Sequence, residues 1–136
     1  MAREVLSRSP AETRRLGREL GATLRAGDVL LLEGELGAGK TTFVKGIAEA
    51  CGVKVQVRSP TFALMHRYRG QPDVVHVDLY RERDPAALED LALDEAGEAA
   101  IIVVEWPKEL TDYLWPGARR VRFEHVDETT RRIVLP

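Results

Sequence analysis

Residues 29–44 read Val-Leu-Leu-Leu-Glu-Gly-Glu-Leu-Gly-Ala-Gly-Lys-Thr-Thr-Phe-Val. Within them Gly34 to Thr41 fits the phosphate-loop pattern G-x-x-x-x-G-K-[ST]. Two glycines, a lysine and a hydroxyl at fixed spacing are a rare chance match, under about one per cent at ordinary glycine usage. The surroundings have the order that the motif needs. Gly27-Asp28 marks a turn, Val29 to Leu32 is a short apolar run that reads as a buried strand, and Phe43-Val44 with Ile47-Ala48 has helical spacing up to Gly52. Strand, loop and helix suit polyphosphate chemistry, which calls for backbone N–H donors around an anion, a mobile cation and a hydroxyl on magnesium. Gly34, Gly37 and Gly39 let the backbone approach phosphate oxygens closely, with Lys40 reaching the β- and γ-phosphates and Thr41 the Mg2+ ion.

The rest of the composition narrows the use of such a loop. At 136 residues the chain reads as one domain, 1–136. With 44% hydrophobic and 31% charged residues it has the makeup of a water-soluble globular protein, and no apolar run approaches the roughly 20 residues of a membrane span. The charged start Met1-Ala2-Arg3-Glu4 has no secretory pattern, so a cytoplasmic setting without membrane contact is expected. Cys51 is the single cysteine and reads as a small buried hydrophobe. A net charge of −2 gives no overall pull toward nucleic acid.

Outward from the loop, the pattern is α/β. Ser9-Pro10-Ala11-Glu12 combines a capping box with proline at the first helical position, and Leu16, Leu20 and Leu24 mark a buried stripe up to Gly27. Val53 to Val57, Phe62 to Tyr68 and Val74 to Leu79 have strand composition, the last two forming a hairpin about Gly70-Gln71-Pro72. Asp84-Pro85 opens a helix carrying Leu88 and Leu91, and Ala99 to Val104 reads as a central strand. Val121-x-Phe123 and Ile133 to Leu135 flank the polar Asp127-Glu128-Thr129-Thr130, a second antiparallel hairpin. The fold expected is a phosphate-loop NTPase-like mixed β-sheet flanked by helices, with an antiparallel hairpin at its C-terminal end.

Two of the apolar runs end in an acid. Asp78 and Glu105 each stand where a strand meets solvent, a place suited to holding magnesium or orienting an attacking water. A strand has to end somewhere and an acid is a fair residue there, but two such ends in one short chain favour function; either could be the second magnesium anchor. His66, His76 and His125 lack metal-ligand spacing and read as packing or surface residues.

Four segments together are more specific than the loop. Gly34 to Phe43, Ser59-Pro60-Thr61-Phe62, His76-Val-Asp78-Leu-Tyr80-Arg81 and Glu105-Trp106-Pro107 occur in the order and spacing of the TsaE (YjeE) family, which the chain resembles over most of its length. The resemblance implies a small Mg2+-dependent ATPase needed for N6-threonylcarbamoyladenosine formation on tRNAs that read codons beginning with A. It implies partners, the TsaD and TsaB proteins, whose assembly ATP hydrolysis would reset, with tRNA reached only indirectly. By motif, Gly37, Ala38, Gly39, Lys40, Thr41 and Thr42 would contact phosphates, Thr41 and Glu105 would hold magnesium, Asp78 would sit near the γ-phosphate or a magnesium-bound water, and Thr61 would belong to a switch-like loop. Pro10 at the start of the first helix would lie on the adenine side, beside Ser9. An arginine of the final hairpin would contact nucleotide; Arg132 is the choice made, with Thr129, Thr130 and Arg131 as competing alignments. Glu35 stands where many relatives have Asp.

Lys40, Thr61, Asp78 and Glu105 are therefore the expected catalytic set. No strand-end motif supplies an arginine finger; Arg58, Arg67 and Arg81 are internal candidates, and a finger ordered by a partner would add a factor of roughly 10³ to 10⁵, so slow hydrolysis by the isolated chain is expected. Two alternatives stand beside this reading. One is a small-molecule kinase, told apart by a phosphorylated metabolite; the other is a nucleotide-dependent binding module with negligible catalysis. The sequence has no Asn-Lys-x-Asp guanine signature.

Overall fold

The run Val29–Gly34 forms strand β2 at the centre of a seven-stranded sheet. The computed structural model describes residues 2–58, 65–80 and 99–136. Around β2 lie β1 (Arg3–Ser7), α1 (Pro10–Gly21), α2 (Lys40–Ala50), β3 (Met65–Tyr68), β4 (Asp73–Asp78), β5 (Ala100–Glu105), α3 (Glu109–Leu114), β6 (Arg119–His125) and β7 (Arg131–Leu135). The strand order is β1-β7-β6-β2-β5-β4-β3. The four middle strands β6, β2, β5 and β4 run parallel, and antiparallel pairs finish both edges. Leu30, Leu31 and Leu32 are completely buried, because a parallel strand covered on both faces has no side for polar residues.

On one face α1 and α2 cover Leu30, Leu32, Val74, Ile101 and Val103. The two helices touch backbone to backbone: a Cβ on Gly17 would fall on the Phe43 carbonyl oxygen, and one on Gly46 would fall on that of Arg14. Arg14 and Arg18 of α1 also pair with Glu49 of α2. The other face, made by Leu31, Val75, Val77, Ile102 and Val104, packs on Trp106, Trp115 and Ala118 around α3.

The expected mixed sheet with flanking helices and a C-terminal hairpin is the observed architecture. Several boundaries differ. Helix α1 has Ser9 as its N-cap and Pro10 in its first turn, but stops at Gly21; Leu24 reaches the core from a following turn closed by its N–H on the Gly21 carbonyl. The Glu12 carboxylate accepts from Arg8 N–H, one residue before the position a capping box would use. Val53 to Val57 is not a strand; Val57 is buried and Val53 packs on the core without ladder partners. Strand β1 and helix α3 were not anticipated. The expected helix from Asp84 through Leu88 and Leu91 lies outside the described residues, as do Ser59 to Phe62 and Arg81.

Candidate functional site

Three strands end side by side beneath the glycine-rich loop. In register, Leu32 of β2 pairs with Glu105 of β5, and Glu105 with Asp78 of β4. Beyond Gly34 the chain turns, with Ala38 N–H bonded to the Glu35 carbonyl, and enters α2 through Gly39 at φ 102°, ψ 13°. That left-handed conformation is one that glycine takes without strain. No side chain caps this helix, and its first turn holds no acid. Its leading N–H groups and positive dipole end are thus left without a side-chain acceptor, as anion binding requires.

Lys40 is folded inward. Its ammonium donates to the Gly34 carbonyl and, at 3.3 Å, to that of Glu35, and lies 3.5 Å from the centre of the Trp106 ring. Burial pulls the Lys40 ammonium below its ordinary value, against the opposing pull of the Glu105 and Asp78 carboxylates. Trp106 itself has φ 59°, a left-handed conformation that is a genuine outlier for so bulky a residue. Its N–H bonds to the Leu32 carbonyl at 3.3 Å, and its ring packs on Tyr80 at 4.7 Å between centroids.

Beside Lys40, the Thr41 hydroxyl donates to the Glu105 carboxylate, 3.1 Å from Oε2 and 3.3 Å from Oε1. Glu105 is almost wholly buried, and His76 Nε2 lies 2.5 Å from the same Oε2. Asp78 Oδ1 accepts from Tyr80 N–H at 2.9 Å. Among the described residues no cluster of three or more His, Cys, Asp or Glu has metal-ligand geometry. A hydroxyl and one buried carboxylate nevertheless fit magnesium, which keeps several waters and takes one or two protein ligands plus phosphate oxygens.

The structure thus brings together Gly37, Ala38, Gly39, Lys40, Thr41, Thr42, Asp78 and Glu105. Pro10 opens α1, whose Thr13 methyl would stand 3.4 Å from a Cβ on Gly39, so the first turn of α1 borders the loop. Arg132 does not point to it: its guanidinium pairs with Glu124 at 3.1 Å. The adjacent Arg131 is the hairpin arginine that reaches the loop, 3.5 Å from the Gly37 carbonyl, because successive side chains of a strand take opposite sides. Thr61 lies outside the described residues. His125 donates to the Leu36 carbonyl at 3.3 Å. A cavity of about 540 Å³ opens between the loop and β6, walled by Glu35, Leu36, Trp106, Phe123 and His125.

Sequence reasoning read His76 as a packing or surface residue, and gave Trp106 no part against Lys40. The imidazole within Val74-Val75-His76-Val77 was the one available signal, since a polar ring in a run of buried valines needs a partner.

The sequence model of the family described as "Threonylcarbamoyl adenosine biosynthesis protein TsaE" matches residues 7–133. The chain belongs to the TsaE family. Relatives described as tRNA threonylcarbamoyladenosine biosynthesis protein TsaE include one from Mycobacterium bovis, 46% identical over 90% of this chain and 79% of its own length. Another, from Bacillus subtilis, is 43% identical over 93% of this chain and 80% of its own. The crystal structure of YdiB from Bacillus subtilis superposes with a TM-score of 0.77 at 29% identity, over 99% of this chain and 84% of that one. No helix among the described residues of this TsaE-family chain is long and apolar enough to cross a membrane.

Proposed function

We propose that this chain is a magnesium-dependent ATPase that acts in threonylcarbamoyladenosine formation on tRNA, slowly by itself and faster with TsaD and TsaB. Family membership supports the pathway. The observation that carries the ATPase reading is the Thr41 hydroxyl set against the buried Glu105 carboxylate, next to Lys40, at the uncapped start of α2. The amides of Gly37 to Thr42 would bind phosphate oxygens, and Lys40, leaving the Gly34 carbonyl, would take the β- and γ-phosphates. Thr41 and Glu105 would hold magnesium, which when bound would neutralise charge on the transferred phosphoryl group. Asp78, at the neighbouring strand end, would orient a water. Phosphoryl transfer is mostly positioning and charge stabilisation, and these groups supply both. Thr61 is proposed as part of the γ-phosphate-sensing switch, and Pro10 as an adenine-side contact. A cytoplasmic location goes with a tRNA-modifying role.

The test is phosphate release from ATP by the purified chain, alone and with TsaD and TsaB, with Lys40→Ala and Glu105→Ala as controls. Partner-stimulated release lost in both variants is the expected result; no turnover under either condition would sink the reading. The cavity of about 540 Å³ beside the loop favours a second reading, a small-molecule kinase, in which it would seat the acceptor. A phosphorylated metabolite, in place of free phosphate, would decide for it.

A further inference from the structure

His76 sits in the interior of β4, wholly buried, two residues before Asp78 on the same face. Its chain neighbours Val75 and Val77 are what a core strand ordinarily carries, and an imidazole in their company is costly unless bonded. One nitrogen is bonded, Nε2 to Oε2 of Glu105; the other, Nδ1, has no partner among the described residues.

The orphan nitrogen identifies the tautomer. A buried N–H without an acceptor is rarer than an acceptor lone pair left empty, so Nδ1 is bare and the hydrogen is on Nε2. An ionised carboxylate only accepts, and Nε2–H gives Glu105 the donor it needs. Glu105 is then gripped from two elements, by Thr41 from α2 and by His76 from β4. Thr41 is in the first turn of α2, and its hydroxyl can turn about its own bond. The imidazole, packed on every side in a central strand, cannot.

We infer that His76 is a positioning residue for Glu105: its Nε2–H pins Oε2 and so fixes the carboxylate plane, leaving Oε1, 3.3 Å from the Thr41 hydroxyl, for the cation and its waters. This rests on Thr41 and Glu105 being the magnesium-holding pair. Magnesium demands near-ideal octahedral geometry, so a carboxylate free to rotate binds it less well. Losing the hydrogen-bond partner of a metal ligand typically lowers metal affinity about 10- to 100-fold.

The experiment is calorimetric binding of ADP and ATP with magnesium and with EDTA, for the unaltered chain, His76→Leu, His76→Gln and Glu105→Gln. In parallel, the imidazole ¹⁵N shifts of the unaltered metal-free chain are recorded, the His76 signals being those missing from a variant. The expected result is an Nε2–H imidazole, and a magnesium enhancement of affinity that falls about 10-fold or more in His76→Leu while binding in EDTA is unchanged. His76→Gln, whose amide keeps a donor, recovers part of it, and stands in should His76→Leu fail to fold. An enhancement lost in Glu105→Gln but retained in the His76 variants overturns the His76 assignment alone, as does an Nδ1–H imidazole. An unaltered chain with no magnesium enhancement overturns the magnesium pair and this inference with it.

Discussion

The indole of Trp106 roofs the ammonium of Lys40 at 3.5 Å, and Tyr80 packs on the same indole at 4.7 Å. A cation leaving an aromatic face changes the field at that ring. If Lys40 moves to phosphate, Trp106 must report it. Trp115→Phe leaves Trp106 as the single tryptophan, and its emission is expected to change on addition of ATP with magnesium. Unchanged emission at saturating nucleotide would mean that Lys40 keeps its place.

Lys40 is held inward at the expense of stability. Its buried ammonium has a value depressed below 10.5. Between that depressed value and 10.5 the unfolded chain binds the extra proton, so stability rises with pH across that window. Lys40→Met should remove this alkaline rise and abolish ATP binding. At neutral pH it should match or exceed the parent, by up to about 0.5–2 kcal/mol. Thermal unfolding across the alkaline range measures it; a large drop in Tm would mean that the bonds to the Gly34 and Glu35 carbonyls outweigh the burial.

Arg131 and Arg132 are separable by mutation. With its guanidinium 3.5 Å from the Gly37 carbonyl, Arg131 is the hairpin arginine that reaches the glycine-rich loop, whereas Arg132 is engaged with Glu124. Arg131→Ala should weaken ATP binding about 10-fold, the size of one charge-assisted hydrogen bond. Arg132→Ala should change it little. The reverse order in a titration would place the nucleotide on the other side of β7.

Asp127 ties the final hairpin. Its Oδ1 accepts N–H bonds from Thr129 at 3.0 Å and Thr130 at 2.8 Å, and these hold its carboxyl below the usual value of 3.8. Such a depressed acid stabilises the fold above 3.8, and its contribution fades as pH falls through the lowered value. Asp127→Asn keeps the accepting oxygen without the titration, so its Tm should fall less steeply on acidification than that of the parent. Equal slopes would assign the acid sensitivity to other carboxylates.

Gly46 tolerates no side chain. A methyl there would strike the Arg14 carbonyl and crowd the Arg18 amide at 2.8 Å. Gly46→Ala should cost about 1–3 kcal/mol, as overpacking does, despite the better helix propensity of alanine. Urea unfolding gives the number, and a stabilised variant would show that the helices can part.

The elements that announced themselves in the sequence did so through burial. Val29–Gly34 and Ala100–Glu105 are covered on both faces, so nothing dilutes their apolar runs. Strand β1 was hidden because Arg-Glu-Val-Leu-Ser at a sheet edge exposes most of its length, leaving Ser7 as its one buried residue. Val53 to Val57 misled for the opposite reason: alternating valines can anchor a loop as readily as a strand. At the site, the loop and both strand-end acids were legible from spacing. The His76 contact was not, since it joins β4 to β5 across 29 positions of sequence and only the parallel register puts them side by side.

The glycine contact between α1 and α2 has a bearing on how the loop can respond. Where two helices meet through backbone, neither can rotate or slide past the other without collision, and the Glu49 pairs with Arg14 and Arg18 lock the same seam. The first turn of α1, beside Gly39, and the start of α2, at Lys40, therefore travel as one stiff bracket. Rearrangement on loading is then left to the opposite rim, where Trp106 and the C-terminal hairpin meet the loop without such a weld.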